Sequence, residues 1–237
     1  PDFVPTCVAL ADVVGDGELD AIVGGDVPGS GQVWILVGAG DGTFSLGVAG
    51  TFILTGTSLS DLAVGNMVTV SDGSADVVAR AGSLVVVISD KDGPWTVVDS
   101  STVADGGGRI HLADMGGTTD LDAVVSNANT DSVSVFLGDG LGAIGSALTT
   151  NVGDEPLGFA LADLSGDGEI DLVIAEDAGL LLRALVGAGN GGFNAGSDTF
   201  PVGGAAHDVV LDTFDAGGVL DAAVARVGGV HLLLGQP

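Results

Sequence analysis

Two stretches of this sequence space their acids as a loop for a hard cation would. Asp12-Val13-Val14-Gly15-Asp16-Gly17-Glu18-Leu19-Asp20 puts carboxylates at loop positions 1, 5, 7 and 9, and Asp163-Leu164-Ser165-Gly166-Asp167-Gly168-Glu169-Ile170-Asp171 repeats the pattern. A tight, glycine-turned loop can gather alternate oxygens around one ion, and Ca2+ takes roughly six to eight oxygen ligands in tolerant geometry. Without a cation, carboxylates held this close repel one another. The plain alternative is that the acids cap tight β-turns through nearby backbone N–H groups. An EF-hand is excluded, because its twelfth position should be a bidentate Glu before a helix and is here Val23 or Ile174, inside an apolar run.

The elements that must position these loops form a repeat. Val8-Ala9-Leu10-Ala11-Asp12 returns as Leu62-Ala63-Val64-Gly65-Asn66, Ile110-His111-Leu112-Ala113-Asp114, Phe159-Ala160-Leu161-Ala162-Asp163 and Val209-Val210-Leu211-Asp212, at steps of 54, 48, 49 and 49 residues. In the fourth unit a strand at 159–161 enters the acidic loop, and strands follow at 172–175, 180–186 and near 199–202, the last two joined by Gly187-Ala188-Gly189-Asn190-Gly191-Gly192-Phe193. Short β-branched runs bounded by Gly, Asp and Asn are hairpin signals, and nothing sustains a helical period. Four strands per repeat of this length is the arithmetic of a propeller blade. The expectation is an all-β chain: a single β-propeller of five four-stranded blades at residues 6–60, 61–108, 109–156, 157–204 and 205–237 plus 1–5. The segment 1–5 would supply the outer strand of the last blade and close the ring; an excised piece of a longer array is the rival reading.

Composition narrows the function classes. The 237 residues carry 32 Asp and Glu against 5 Lys and Arg, a formal charge of −27, with 46% hydrophobic residues and 42 Gly. Such a balance excludes a basic nucleic-acid footprint and, being rich in apolar residues, excludes disorder. No apolar run approaches the roughly 18 residues of a membrane-spanning helix. The lone Cys7 reads as a small buried hydrophobe.

The loops and repeat length together resemble the FG-GAP/VCBS repeats of the integrin α-subunit propeller and its bacterial relatives, whose loop runs roughly D-x-D/N-x-D-G-x-x-D; Gly42-Thr43-Phe44 and Gly192-Phe193 echo further family patches. The resemblance implies Ca2+ bound by side chains at positions 1, 3, 5 and 9 and by the carbonyl at 7. Carried over, the ligands are Asp12, Asp16, Glu18 (carbonyl) and Asp20 in unit one, and Asp163, Ser165, Asp167, Glu169 (carbonyl) and Asp171 in unit four. Val14 breaks the pattern in unit one, and unit three keeps a weaker set in Asp114, Thr118 and Asp122. The units beginning at Asn66 and Asp212 depart further.

Hairpin connectivity places Arg80, Arg109 and Arg226, with His207 nearby, on the face opposite the acidic loops. In the resembled family that face recognises ligands, so a protein or an acidic ligand is the expected partner of these arginines; the alternative is that each Arg pairs with a local Asp. The implied function is a calcium-binding extracellular or cell-surface propeller for adhesion or protein recognition, monomeric, with structural calcium. No Ser-His-Asp set or unexplained carboxylate pair argues for an enzyme. The runners-up are a glycan-binding or glycan-processing propeller, for which Trp95 is the better exposed aromatic and Trp34 reads as core, and a ligand-free scaffold.

Overall fold

The computed structural model describes residues 3–55, 58–69, 74–89, 95–104, 107–194 and 196–235. It is built of antiparallel sheets, each from consecutive strands. Sheet 1 runs β1 (Val4–Ala11), β2 (Asp20–Val27), β3 (Ser30–Gly38) and β4 (Phe44–Thr55); sheet 2 runs β5 (Leu59–Gly65), β6 (Asp76–Ala81), β7 (Leu84–Ser89) and β8 (Thr96–Thr102). Sheet 3 holds β9 (Ile110–Ala113), β10 (Asp122–Asn127), β11 (Ser132–Phe136) and β12 (Leu148–Asn151), and sheet 4 holds β13 (Pro156–Ala162), β14 (Asp171–Glu176), β15 (Leu181–Leu185) and β16 (Asp198–Pro201). Sheet 5 has three strands among the described residues, β17 (Ala206–Asp212), β18 (Asp221–Arg226) and β19 (Gly229–Leu233). The one helical element described is a 3-10 turn at Ala128–Thr130.

The inner strands read as near-continuous apolar runs because both of their faces are covered. Successive residues of a strand point to opposite sides. In β7, Val86 and Ile88 therefore pack toward Ile22, Val33 and Ile35 of sheet 1, while Val85 and Val87 pack toward Ile110, Ala123 and Val125 of sheet 3. The same division recurs between sheets 3 and 4, where Val124, Val133 and Val135 meet Phe159, Leu172 and Ile174. Between sheets 4 and 5, Val173, Ala175 and Leu182 meet Val209 and Val224. At about 1.5–3 kcal/mol for each large apolar side chain buried, these four seams hold the sheets together. First strands lie side by side along the inner edge, β1 by β5, β5 by β9 and β13 by β17.

Among the described residues no apolar core joins sheet 5 to sheet 1. Val8 of β1 is 66% exposed, although its repeat equivalents Leu62, Ile110, Phe159 and Val209 are buried, and Leu10 is 56% exposed where Val64, Leu112, Leu161 and Leu211 are half-buried. On the far side of sheet 5, Val210, Leu232 and Val230 are 56%, 48% and 72% exposed. The expected closing segment falls partly outside the described residues, at 1–2, and its remainder is engaged elsewhere: Val4 pairs with Asp26 and Pro5 with Gly25, extending β1 along β2. Hydrogen bonding within sheet 1 thus takes the residues that closure on β19 would need.

Candidate functional site

The acid that ends the loop does the same work in sheets 1, 3, 4 and 5, and in sheet 2 Asp76 takes the loop amides. Asp20 is buried, its Oδ2 accepting the N–H groups of Val13 (2.9 Å) and Val14 (3.1 Å) and its Oδ1 that of Gly38 (2.9 Å). Asp171 takes Leu164, Ser165 and Gly187 at 2.8, 2.9 and 2.8 Å, and Asp221 takes Phe214, Asp215 and Gly235 at 2.7, 3.1 and 2.7 Å. Asp122 accepts from Met115 and Gly138, and Asp76 from Met67 and Val68. One carboxylate therefore clasps the acidic loop to the end of the third strand. That strand end is a glycine because the backbone of residue 8 of the loop lies against it: a Cβ on Gly38, Gly138, Gly187 or Gly235 would stand 2.1–2.4 Å from the carbonyl oxygen of Leu19, Leu121, Ile170 or Leu220. Burial pushes the Asp122 carboxyl above its ordinary value, opposed by the amides it accepts.

Position 1 caps the loop from within. Asp12 accepts from Gly15, Asp16 and Gly17, Asp163 from Gly166 and Gly168, and Asp114 from Thr118 and Thr119. Asp16 and Asp167 each take the N–H two residues on, from Glu18 and Glu169. The carboxylates of Glu18 and Glu169 sit over the Cα of Gly40 and Gly189 in the turn after the third strand. Ser165 and Thr118 enter these bonds through their backbone N–H groups. No three acidic or His side chains converge on a common point among the described residues. The amide bonds make each loop a clasp, and each carboxylate oxygen that accepts an N–H keeps a further lone pair.

The three expected ligand-face arginines separate. Arg80 is wholly buried and gives its guanidinium to the carbonyls of Ser126 and Ala104 (3.0 Å for the latter) and to Asn127 Oδ1 (3.4 Å), which makes it a cross-tie between sheets 2 and 3 rather than a surface contact. Arg226 donates Nη1 to the carbonyls of Val227 (3.0 Å) and Gly203 (3.4 Å). Only Arg109 stays open, its side chain 48% exposed and lying 3.9 Å from Asp61 and 3.8 Å from Asp208, beyond hydrogen-bond reach of either. It lines a cleft of about 310 Å³ with Ser60, Gly108, Leu157 and His207, where the first strands of sheets 2 to 5 begin. His207 Nδ1 stands 3.3 Å from Asp177. Asp61 is buried, which pushes its carboxyl up, while the Ile110 N–H and Arg109 pull it down.

Sequence reasoning missed Asp61 and Asp208 as companions of Arg109, because they sit in other repeats. It also missed the Glu176–Arg183 pair on facing strands of sheet 4, in which Glu176 is buried. The spacing of Asp61 and Asp208 from Leu62 and Val209, each one residue before the first apolar position of its strand, was a signal that could have found them. Trp34 is half-buried, stacks on Phe3 at 4.6 Å and donates Nε1 to Gln32. Trp95 is half-buried and packs on the seam between sheets 1 and 2, so neither forms an open stacking platform. Cys7 is part-buried beside the same seam, and burial raises its thiol.

No known family model and no curated relative matches the sequence. In structure the chain is similar to BBS1N, solved in complex with ARL6DN and soaked with lead, with a TM-score of 0.59 and 10% identity over 98% of this chain and 80% of that one. BBS1N is a β-propeller domain, and at this identity the likeness speaks for the fold alone. The chain accordingly has an all-β, propeller-like fold.

Proposed function

We propose that this chain is a recognition propeller of the FG-GAP/VCBS type without catalytic chemistry of its own, that it contacts a protein partner through the cleft at Arg109 and His207, and that its acidic loops act as clasps holding each sheet in shape. The carrying observation is Arg109: among the four described arginines it alone is half-exposed and makes no hydrogen bond within the described residues. A guanidinium so placed offers a planar fork to a partner's carboxylate, with Asp61 and Asp208 limiting how far the side chain swings. The comparison structure is a propeller in a complex, which supports this class of function. The repeat, the loop spacing and the acidic surface support an extracellular setting for the module.

Affinity capture from an extract of the source cells tests the surface. A protein retained by the wild type and lost with Arg109→Glu is the expected result, whereas equal retention by both would sink the assignment. Calorimetric titration with Ca2+ tests the loops. A clasp alone gives no stoichiometric heat; two or three ions per chain, lost on Asp16→Ala and Asp167→Ala, would establish calcium as a structural cofactor.

A further inference from the structure

The residue just before the first apolar position of each unit holds an equivalent place on the inner strands, and here the repeat imposes no common type: the five are Cys7, Asp61, Arg109, Gly158 and Asp208. The loop acids recur because each sheet needs its clasp, whereas charges that break the repeat have no such structural demand behind them. Three of the five form one group. Asp61 of β5 and Asp208 of β17 each turn one oxygen toward the Arg109 guanidinium, at 3.9 and 3.8 Å, while the other oxygen accepts the N–H of Ile110 or Val209. Asp208 reaches Arg109 past β13 because that strand carries Gly158 at this place, where a Cβ would overlap the Asp208 carboxylate. One residue earlier in each unit stand Ser60, Gly108, Leu157 and His207, which line the cleft of about 310 Å³ with Arg109. Ser60 and His207 are the extra residues of bulges at Leu59/Asp61 and Ala206/Asp208, and Leu157 lies within a third at Pro156/Phe159. A bulge re-aims a side chain, and three of them here serve one cleft.

Neither acid is close enough to satisfy the guanidinium, which makes no hydrogen bond among the described residues. The group therefore offers a fork of donors and, next to it, carboxylate oxygens with lone pairs to spare. A simple anion on the fork would meet Asp61 and Asp208, and a simple cation on the acids would meet Arg109. A ligand that carries both charges a few bonds apart answers both. We propose that this cleft binds a free α-amino acid, with its carboxylate on the Arg109 guanidinium, its ammonium on the Asp208 carboxylate and its side chain toward Leu157. Asp208 is open to such a contact, its side chain being 44% exposed. The volume of about 310 Å³ lies at the small end of ligand pockets, which run from about 300 to 1,000 Å³. With Asp61, Asp208 and, beside His207, Asp177 set against one guanidinium, an acidic side chain on the ligand is disfavoured. This ligand rests on the reading of the cleft as a recognition site, and it competes with a partner's carboxylate for the same guanidinium.

The probes are L-leucine, N-acetyl-L-leucine, which lacks the ammonium, L-leucinamide, which lacks the carboxylate, and L-glutamate, each titrated into the intact chain by calorimetry. Saturable one-to-one binding of L-leucine is expected, with the two blocked analogues and L-glutamate at least about tenfold weaker, as the loss of one charge-assisted contact requires. Arg109→Gln should weaken L-leucine binding by at least about tenfold as well. Asp208→Asn should bring L-leucine and N-acetyl-L-leucine to equal affinity, which a merely structural role for Asp208 would not do. Both replaced side chains are half-exposed, and an unchanged melting temperature identifies the variants as folded. No saturable heat from any proteinogenic amino acid at millimolar concentration, or blocked analogues that bind as tightly as L-leucine, would overturn the proposal. If a captured protein still depends on Arg109 in that event, the amino-acid ligand alone falls; L-leucine binding with no protein captured leaves the ligand standing and removes the protein contact.

Discussion

The spacing of acids was legible in the sequence, but what their oxygens hold was not. A carboxylate at loop position 9 suits a cation or a set of amides equally well, and one of its amide partners, Gly38, lies 18 residues from Asp20. Arg80 shows the same limit: its position at the end of β6 read as surface, and only the packing of sheet 2 on sheet 3 turns it inward to Ser126. Replacing Asp171 by Ala strands the N–H groups of Leu164, Ser165 and Gly187, at roughly 1–3 kcal/mol for each buried unsatisfied group. A loss of about 3 kcal/mol is expected for Asp171→Ala, and less than about 0.5 kcal/mol for exposed Asp167→Ala in calcium-free buffer, measured by urea denaturation. Asp61 gives a pH-dependent counterpart. Burial holds its folded pKa above the unfolded value, so its contribution is favourable below the unfolded value of about 3.9 and is lost as pH rises through the folded one. The melting temperature of Asp61→Asn minus that of wild type should therefore increase from pH 3.5 to pH 7; a flat difference would contradict the shift.

At the level of elements, strand order and the hairpins of unit four could be read from period and punctuation, and β13 to β16 lie where the apolar runs placed them. Closure could not be read, because Val4 and Pro5 suit the edge of β2 and the edge of β19 alike, and only the register Val4 to Asp26 decides between them. The glycine after the third strand of sheets 1, 3, 4 and 5 was also silent in the sequence, four among 42. Its necessity arises from the carbonyl that crosses it. Gly187→Ala would bring a Cβ to 2.2 Å from the Ile170 oxygen, which backbone must move to relieve. A loss of at least about 2 kcal/mol is expected in the same denaturation assay, with β14 and β15 losing hydrogen-exchange protection first. A substitution at Gly29, where φ is positive but the surroundings are open, should cost only about 1 kcal/mol.

For the whole molecule, the repeat announced a propeller-like array, and the sheets follow its five units in order. The two end sheets present apolar faces of the kinds that mate at the internal seams, one through Val8 and Leu10 and the other through Val210, Val230 and Leu232. Both faces are apolar, and a head-to-tail contact between copies makes a ring where its rotation closes and an open filament where it does not. What stands against stacking of this sort is the charge of −27, which makes every approach between copies an approach of like charges. That barrier has a range set by the solvent, about 10 Å at 0.1 M salt and about 3 Å at 1 M. Light scattering should accordingly report monomers in dilute buffer and growing assemblies toward 1 M NaCl, reversed by Val8→Asp or Leu232→Asp; a size independent of salt would count against it. The acidity of this surface then works as a colloidal guard, tuned by ionic strength, over the apolar side chains that sheets 1 and 5 leave exposed.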